Sequence, residues 1–263
     1  MEYIAIIPAR YASTRFPGKP LVELAGKTII QRVYEKAKTV LKNVYVATDD
    51  ERIFDVVEGF GGKAVMTSAD HPSGTDRVRE AAEKVGCNVD DVIINIQGDE
   101  PFIHKSQIES LCNCFNDAST QIATLAMPVT DSKIVFNPNS PKVVIDNNGF
   151  AMYFSRSPIP YNREWNDDDN KECNVHNKHI GVYAYRFNVL REITHLPMSS
   201  LEMTEKLEQL RWLQNGYKIK VGLTDMETIG IDTPEDLKKA EEYIKVKEVE
   251  KSKRSKSLRG LKV

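Results

Sequence analysis

The chain of 263 residues lacks several features that would assign it to a class of protein at once. No apolar run approaches the roughly 20 residues that a membrane-spanning helix needs. Basic and acidic side chains nearly cancel, with 36 Lys and Arg against 38 Asp and Glu. That balance argues against a protein devoted to coating nucleic acid. The amino terminus has no basic leader and begins with a strand-like segment, so we expect no signal peptide and a cytoplasmic location.

Cysteine is scarce as well, with four residues in no disulfide or zinc-ribbon spacing. Cys173, His176 and His179 are spaced like half a zinc site, but no fourth ligand is apparent nearby. On an extended segment the two histidines would also point to opposite faces. We therefore predict free thiols in a reducing compartment and no zinc centre.

Short apolar runs alternate with helical patterns through the first half of the chain. Strands are expected at residues 4–7, 44–47, 63–66 and 92–96, and helices at 28–41, 51–59 and 75–85. This alternation predicts an α/β fold with a mainly parallel sheet between helices. In such sheets the ligand lies beyond the carboxyl ends of the strands.

The second half has a different pattern. Segments 142–146 and 150–154 flank Asn147-Asn148-Gly149, a sequence typical of a β-hairpin turn. Further elements are expected as a strand at 180–186, a helix at 200–214, a strand at 219–223 and a last helix that opens at Thr233-Pro-Glu-Asp.

Two segments have too little apolar content to belong to a core. Residues 162–174 are acidic and rich in Asn, which predicts an exposed loop. Residues 245–263 hold eight cations against Glu248 and Glu250, which predicts a basic, disordered tail.

A loop rich in cations follows the first strand. It reads Ile-Pro-Ala-Arg-Tyr-Ala-Ser-Thr-Arg-Phe-Pro-Gly-Lys-Pro-Leu and carries Arg10, Arg15 and Lys19. Backbone N–H groups, Ser13 and Thr14 can line the oxygens of a triphosphate while the cations neutralise its charge. The Gly-Lys-Ser/Thr ending of a Walker loop is missing, so ordinary ATPase chemistry is not expected. A solvated surface loop is the alternative interpretation.

Two carboxylates are candidate Mg²⁺ ligands. Asp99 follows the most apolar strand beside a glycine, in the position where a phosphate-bound cation is often held. Glu100 is an alternative ligand, or it caps the following turn. Asp232 precedes the expected N-cap Thr233 and is not needed for capping the helix, so it is available as the second ligand.

The segment Thr67-Ser-Ala-Asp-His-Pro-Ser-Gly-Thr-Asp-Arg77 is dense in hydroxyl groups and glycine between a strand and a helix. Such a loop can surround a nucleobase with hydrogen bonds. Turn formation alone explains the same composition equally well.

Several motifs together resemble the 3-deoxy-manno-octulosonate cytidylyltransferases, the CMP-Kdo synthetase family. Besides the cation loop, they are Ala47-Thr-Asp49, Ser73-Gly-Thr-Asp-Arg77, Gln97-Gly-Asp-Glu-Pro101, Lys142-Val-Val, Tyr153-Phe-Ser-Arg-Ser-Pro-Ile-Pro160, His179-Ile-Gly-Val-Tyr183, Leu207-Glu-Gln-Leu-Arg211 and Gly230-Ile-Asp-Thr-Pro-Glu-Asp-Leu237. Each motif alone is weak, but their common order over residues 3–244 is specific. The loop at 162–174 and the tail beyond Lys245 fall outside this pattern.

The resemblance implies a role for each matching residue. The CTP-binding set is Ala9, Arg10, Ser13, Arg15, Lys19, Thr67, Ser73, Gly74 and Arg77. The sugar-binding set is Gln97, Arg156, His179, Tyr183 and Glu208. The resemblance implies Asp99 and Asp232 as metal ligands, and these two act with Arg10 and Lys19 as the catalytic set.

The implied fold is a nucleotide-diphospho-sugar transferase-like, Rossmann-like domain over residues 1–244, with a mixed, mainly parallel sheet flanked by helices. In this implied fold, residues of about 142–190 form a small β-hairpin lobe that contributes to the dimer and to the sugar pocket. The implied reaction joins CTP and Kdo into CMP-Kdo and pyrophosphate with Mg²⁺, for lipopolysaccharide synthesis. The sequence offers no convincing dedicated general base. Alternatives are 8-amino-Kdo, sialic acid or a related acid as substrate, and a catalytically silent binding or scaffold protein.

Overall fold

The computed structural model describes residues 1–12, 16–163, 175–227 and 230–260, with side chains described as far as residue 247. The strands are β1 Tyr3–Ala9, β2 Glu23–Leu24, β3 Lys27–Thr28, β4 Asn43–Thr48, β5 Ala64–Met66, β6 Val92–Asn95, β7 Ile122–Val129, β8 Lys142–Ile145, β9 Ala151–Ser155, β10 His176–Arg186 and β11 Ile219–Leu223. The helices are α1 Ile29–Lys38, α2 Glu51–Gly59, α3 Gly74–Lys84, α4 Lys105–Cys114, α5 Ser132–Val135, α6 Phe187–Ile193, α7 Ser200–Glu205, α8 Gln209–Gln214 and α9 Pro234–Gly260.

The main sheet has the strand order β11-β7-β10-β6-β1-β4-β5. Strands β6, β1, β4 and β5 are parallel neighbours, as the alternation of strands and helices predicts. Strand β10 runs antiparallel to both β6 and β7, so the sheet is mixed in its centre. Because β1, β4, β5 and β6 are parallel, their carboxyl ends meet at one edge.

Two apolar cores cover the faces of this sheet. Along β1, Ala5 and Ile7 contribute to one core and Ile4 and Ile6 to the other, as expected when successive side chains alternate between faces. A smaller cluster, centred on Leu24, Ile29, Ile231 and Ala240, holds α9 against the β2–β3 region. Helix α9 thereby brings the segment that precedes it to the edge where β1 and β6 end.

The second half departs from the prediction at one helix. Residues 200–214 form two helices, α7 and α8, because Lys206 adopts the left-handed conformation (φ 54°) and ends the first of them. Apolar spacing does not reveal this break, since Met203, Leu207 and Leu210 keep the i, i+4, i+7 spacing of a helix across it. The break places Glu208 at the start of α8.

The hairpin of β8 and β9 forms around Asn147-Asn148-Gly149, as predicted. It joins the main sheet through Lys142, which pairs with Lys178 of β10. Beyond residue 244, α9 continues to Gly260 where the sequence predicts a disordered tail. Lysine, arginine and glutamate favour helix, and no proline interrupts this stretch, so an established helix can extend through it. Most of the acidic loop predicted at 162–174 lies outside the described residues.

None of the helices in the described part of the chain combines the length and the apolar content that a membrane crossing requires.

Candidate active site

A cavity of about 200 Å³ opens at the carboxyl ends of the parallel strands. Its walls come from the end of β1 and the loop after it, the start of α3 and the loop before it, the residues that follow β6 and the segment before α9. The lining residues are Pro8, Ala9, Arg10, Lys19, Pro20, His71, Ser73, Gly74, Arg77, Gln97, Gly98, Asp99 and Asp232. This is the edge of the sheet where the sequence predicts a ligand.

One end of the cavity holds a cation between two carboxylates. Lys19 Nζ lies 2.6 Å from Asp99 Oδ2 and 3.0 Å from Asp232 Oδ1. Arg10 lines the same cavity and is exposed. Ser13 and Arg15, the other predicted phosphate contacts of this loop, lie outside the described residues.

The backbone around Lys19 is shaped by Gly18 and Tyr11. Gly18 precedes a short 3-10 helix in the left-handed conformation (φ 70°), and its N–H donates to the Tyr11 carbonyl at 3.0 Å. A Cβ on Gly18 would lie 3.1 Å from the Tyr11 ring. On Tyr11 the guanidinium of Arg52 stacks 3.3 Å from the ring centroid, and Asp50 holds that guanidinium in turn. The described ends of the cation loop are therefore anchored to the start of α2.

Gly98 allows the loop after β6 to approach β1. A Cβ at this position would lie 2.8 Å from the carbonyl oxygen of Pro8, closer than side chains tolerate. Because the clashing atom belongs to the backbone, a larger residue would push the two walls of the cavity apart. The close approach brings Asp99 alongside the end of β1.

Glu100 does not line the cavity, although the sequence left it open as a metal ligand. Burial, together with the charges of Asp99 and Asp232, raises the pKa of its carboxyl to about 8. Its Oε2 is buried and has no hydrogen-bond partner among the described residues. These surroundings favour the protonated carboxylic acid at neutral pH.

The opposite wall is the amino terminus of α3. Ser73 caps this helix by accepting from the Asp76 N–H, and both Ser73 and Gly74 line the cavity. An eleven-residue helix presents unpaired N–H groups and the positive end of its dipole there. Such an end suits an anionic or polar ligand.

Arg77 lines this wall although it is 4% exposed. Its guanidinium donates to the Thr67 hydroxyl at 2.7 Å and lies 3.3 Å from Asp49 Oδ2. Thr67 therefore supports Arg77 from behind and does not itself reach the cavity. Sequence reasoning assigned no site role to Asp49, although it belongs to the Ala47-Thr-Asp49 motif.

His71 is a lining residue that sequence reasoning also missed, although it lies inside the predicted nucleobase loop. Its Nε2 contacts the carboxylate of Glu80 on α3, which also accepts from the Ser68 N–H at 2.9 Å and from Lys84 at 2.7 Å. Burial alone would raise the pKa of Glu80, but these hydrogen bonds from Lys84, Ser68 and His71 lower it to about 2. Glu80 thus ties the loop to α3.

Four of the five predicted sugar-binding residues, all except Arg156, form a polar row that leads away from the cavity into the sheet. Gln97 lines the cavity and donates to Asn95 at 3.1 Å, and Asn95 pairs in register with Tyr183 of β10. Glu208 accepts from the Thr75 hydroxyl at 3.0 Å and from Ser73 at 3.4 Å, beside the cavity wall. The structure brings these residues together from three separate elements.

The inner members of this row are buried. The Tyr183 hydroxyl has no partner that meets hydrogen-bond geometry in the described part of the chain, and burial raises the pKa of that phenol. Burial also raises the pKa of Glu208 and lowers that of His179 to about 3. His179 is therefore a neutral imidazole at neutral pH, with its Nε2 3.0 Å from the Thr124 hydroxyl.

Arg156 lies apart from the cavity. Its guanidinium donates to the carbonyls of Glu205 at 2.7 Å, Pro138 at 2.9 Å and Lys206 at 3.4 Å. It thereby joins the end of β9 to the turn between α7 and α8, two residues before Glu208. The structure gives Arg156 backbone partners where the family resemblance implies a sugar carboxylate.

The pair Asp99 and Asp232 suits a divalent cation. Both carboxylates contact the same ammonium, so their oxygens converge on one position that holds a positive charge. Mg²⁺ takes one or two protein carboxylates and fills its remaining positions with phosphate oxygens and water. Among the described residues, no three or more His, Cys, Asp or Glu side chains converge as a metal site.

Known proteins resemble this chain over nearly its whole length. The cytidylyltransferase family profile matches residues 4–219. The 3-deoxy-manno-octulosonate cytidylyltransferase of Bacteroides thetaiotaomicron is 60% identical over 248 residues, which cover 93% of this chain and 99% of that protein. The 8-amino-3,8-dideoxy-manno-octulosonate cytidylyltransferase of a Shewanella species is 46% identical over 250 residues, 94% of this chain and 100% of that protein.

A solved structure agrees with these relatives. It is a CMP:2-keto-3-deoxy-manno-octonic acid synthetase complexed with CTP, with a TM-score of 0.85 and 41% identity, and it covers 94% of this chain and 100% of that one. Fold, site and relatives lead to the same conclusion: the chain belongs to the 3-deoxy-manno-octulosonate cytidylyltransferase family of nucleotidyltransferases.

Proposed function

We propose that this protein transfers CMP from CTP to 3-deoxy-manno-octulosonate, Kdo, and releases pyrophosphate. The observation that carries the proposal is the cavity where Lys19 meets Asp99 and Asp232 opposite the amino terminus of α3. The relatives named above act on this sugar acid or its 8-amino analogue, and the similar solved structure holds CTP. The product, CMP-Kdo, is an activated sugar for lipopolysaccharide synthesis.

In this proposal the triphosphate lies along the cation side of the cavity. Arg10, Arg15 and Lys19 neutralise the charge of the phosphate oxygens, and the Ser13 hydroxyl donates a hydrogen bond to them. The base lies toward Ala9, Ser73, Gly74 and Arg77. Thr67 and Asp49 hold the Arg77 side chain in place. The guanidinium is therefore already oriented before the base binds.

Asp99 and Asp232 are the residues that we propose to hold Mg²⁺. When bound there, the cation supplies neutralisation of the charge that develops on the phosphates. Lys19 and Arg10, which belong to the chain itself, also neutralise charge on the phosphates. The reaction is a displacement in which the anomeric hydroxyl of Kdo forms a bond to the α-phosphorus and the bond to pyrophosphate breaks. The hydroxyl proton passes to water or to Asp99.

The sugar acid is proposed to lie beside Gln97 and Glu208, with Tyr183 and His179 behind them. Glu208 accepts hydrogen bonds from α3, so sugar hydroxyl groups can replace Thr75 and Ser73 as donors. The Tyr183 hydroxyl is a further partner that the described residues leave available. Arg156 is the proposed partner of the sugar carboxylate. The carboxylate would have to replace the backbone carbonyls of Glu205 and Pro138, to which Arg156 now donates.

We further propose that the enzyme is a cytoplasmic homodimer paired through the lobe at residues 142–190. Support for this pairing comes from the apolar side chain of Met152, which is 63% exposed on β9. Light scattering coupled to size-exclusion chromatography tests the proposal, since a monomer at micromolar concentration would contradict it.

The decisive experiment measures pyrophosphate release with CTP and Mg²⁺ while the sugar acid is varied. Kdo, 8-amino-Kdo and sialic acid are offered at equal concentration, and kcat/KM is compared. We expect the highest value with Kdo. Release with none of the acids would contradict the enzymatic proposal. A preference for 8-amino-Kdo, the substrate named for the Shewanella relative, would retain the reaction and replace the sugar.

A further inference from the structure

Lys19 is placed where a divalent cation would otherwise be. Its ammonium contacts Asp99 and Asp232, which come from different parts of the sheet edge. The Lys19 side chain is 13% exposed, so water screens these contacts only in part. The chain therefore supplies a positive charge of its own between the two carboxylates.

The ammonium and a divalent cation cannot use these oxygens together. Asp99 Oδ2 lies 2.6 Å from Nζ, and Mg²⁺ would need the same oxygen at roughly 2.0–2.1 Å. Two cations within a few ångströms repel each other strongly in a partly buried site. Entry of the divalent cation thus requires Lys19 to leave.

The Lys19 side chain can move within the cavity to an alternative position. Lysine carries its charge on a flexible four-carbon stem, and Lys19 lines the cavity that also contains Arg10. A triphosphate in that cavity offers oxygen atoms that replace the lost carboxylates. Without a triphosphate, the Lys19 ammonium would give up its contacts with two carboxylates and gain only water, so its displacement is unfavourable.

We propose that Lys19 is an exchangeable counter-cation that makes divalent-cation binding depend on the nucleotide. In the empty enzyme it occupies Asp99 and Asp232, and when a triphosphate binds it moves to the phosphates and frees both carboxylates. By linkage, the divalent cation strengthens triphosphate binding by the same factor. This inference rests on the proposed function because the triphosphate is its second partner.

The test measures Mn²⁺ binding to the full chain in the absence of nucleotide, from the electron paramagnetic resonance signal of free Mn²⁺. Mn²⁺ accepts the same oxygen ligands as Mg²⁺. We expect Lys19→Met to bind Mn²⁺ at least tenfold more tightly than the unaltered protein. Lys19→Arg should bind as weakly as the unaltered protein, since it retains a cation.

Two controls identify the cause. Lys27→Met removes a cation from the Glu35 pair, in which both side chains are about half exposed, and should leave Mn²⁺ affinity unchanged. Lys19→Met combined with Asp99→Asn should lose the gain, because one of the two ligands is then uncharged. If Lys19→Met fails to fold, as judged by circular dichroism, Lys19→Gln takes its place.

Equal Mn²⁺ affinity in Lys19→Met and the unaltered protein would overturn the proposal. So would a gain that persists in the double variant. Neither outcome depends on turnover, so this test separates failure of the exchange from failure of the proposed function, which the pyrophosphate assay reports.

Discussion

At the scale of single residues, Gly98 has the strictest steric requirement in the cavity. Gly98→Ala places a methyl group against the Pro8 carbonyl, 2.8 Å away, and neither backbone can yield without moving a wall of the site. We expect a loss of about 1–3 kcal/mol in the free energy of unfolding, measured by urea denaturation.

Gly59→Ala is the matched control because it adds the same methyl group in α2, where nothing lies within 4 Å. It should be neutral or stabilising by about 0.5–1 kcal/mol, since alanine restricts the unfolded chain. An unchanged unfolding free energy in Gly98→Ala would show that the loop after β6 separates easily from β1.

Asp99 is the less exposed of the two proposed metal ligands. Asp99→Asn keeps the shape and removes the charge, so kcat should fall by at least about 100-fold, as loss of a key electrostatic group commonly produces. Asp90→Asn changes an exposed carboxylate elsewhere and should keep the original kcat. Turnover close to that of the unaltered enzyme in Asp99→Asn would remove this residue from the metal site.

At the scale of elements, Glu80 joins α3 to the loop before it. Its pKa of about 2 lies below the ordinary carboxyl value of 4.5, so its contacts stabilise the fold fully above pH 4.5. That contribution is lost as the pH falls from 4.5 toward 2. Thermal denaturation at several pH values should show Glu80→Gln to be less stable at pH 7, with the difference shrinking below pH 4.5.

Glu83→Gln is the control on the same helix. Glu83 pairs with Arg79 near the surface, and such pairs contribute little to stability. A Glu80→Gln variant as stable as Glu83→Gln at pH 7 would mean that the loop before α3 does not depend on this carboxylate.

Some elements were predictable from sequence because their patterns are local. Apolar alternation and turn residues located β1, β4, β6 and the hairpin of β8 and β9. The direction of β10 was not predictable, since the residues that it pairs with on β7 and β6 lie 47 to 94 positions away in the sequence. Lys206 shows the same limit, because a single left-handed residue interrupts a continuous apolar period.

The residues of the site also fall into those that local sequence patterns predict and those that they do not. Lys19, Asp99 and the start of α3 follow directly from strand ends, where sequence reasoning can place them. The tie between Glu80 and His71 is not foreseeable, because it joins side chains whose residue types suit many surface roles. The partners of Arg156 are backbone carbonyls, which carry no sequence signal.

At the scale of the whole molecule, the apolar contacts of α9 that the structure describes lie in its first half, up to Ile244. Leu237, Ala240 and Ile244 pack into the cluster around Ile231, and the cations follow them. Deletion of residues 248–263 should therefore leave kcat, KM for CTP and the oligomeric state unchanged. Light scattering and the pyrophosphate assay measure these quantities.

Deletion from residue 237 onward is the contrasting variant. It removes the three apolar contacts that hold the helix beside Asp232 and should lower both stability and activity. A monomeric product from the shorter deletion, with a dimeric parent, would instead make the basic segment part of the assembly.

The central position of β10 has a consequence for the order in which the molecule can be built. During synthesis, β1, β4, β5 and β6 emerge within the first 95 residues, yet one edge of β6 has no neighbour until residues 183–186 arrive. A nascent chain thus carries an open strand edge through about a third of translation, the condition under which strands join the wrong partner. Asp232 emerges later still, so the carboxylates of Asp99 and Asp232 come together only after every strand of the main sheet has been synthesised.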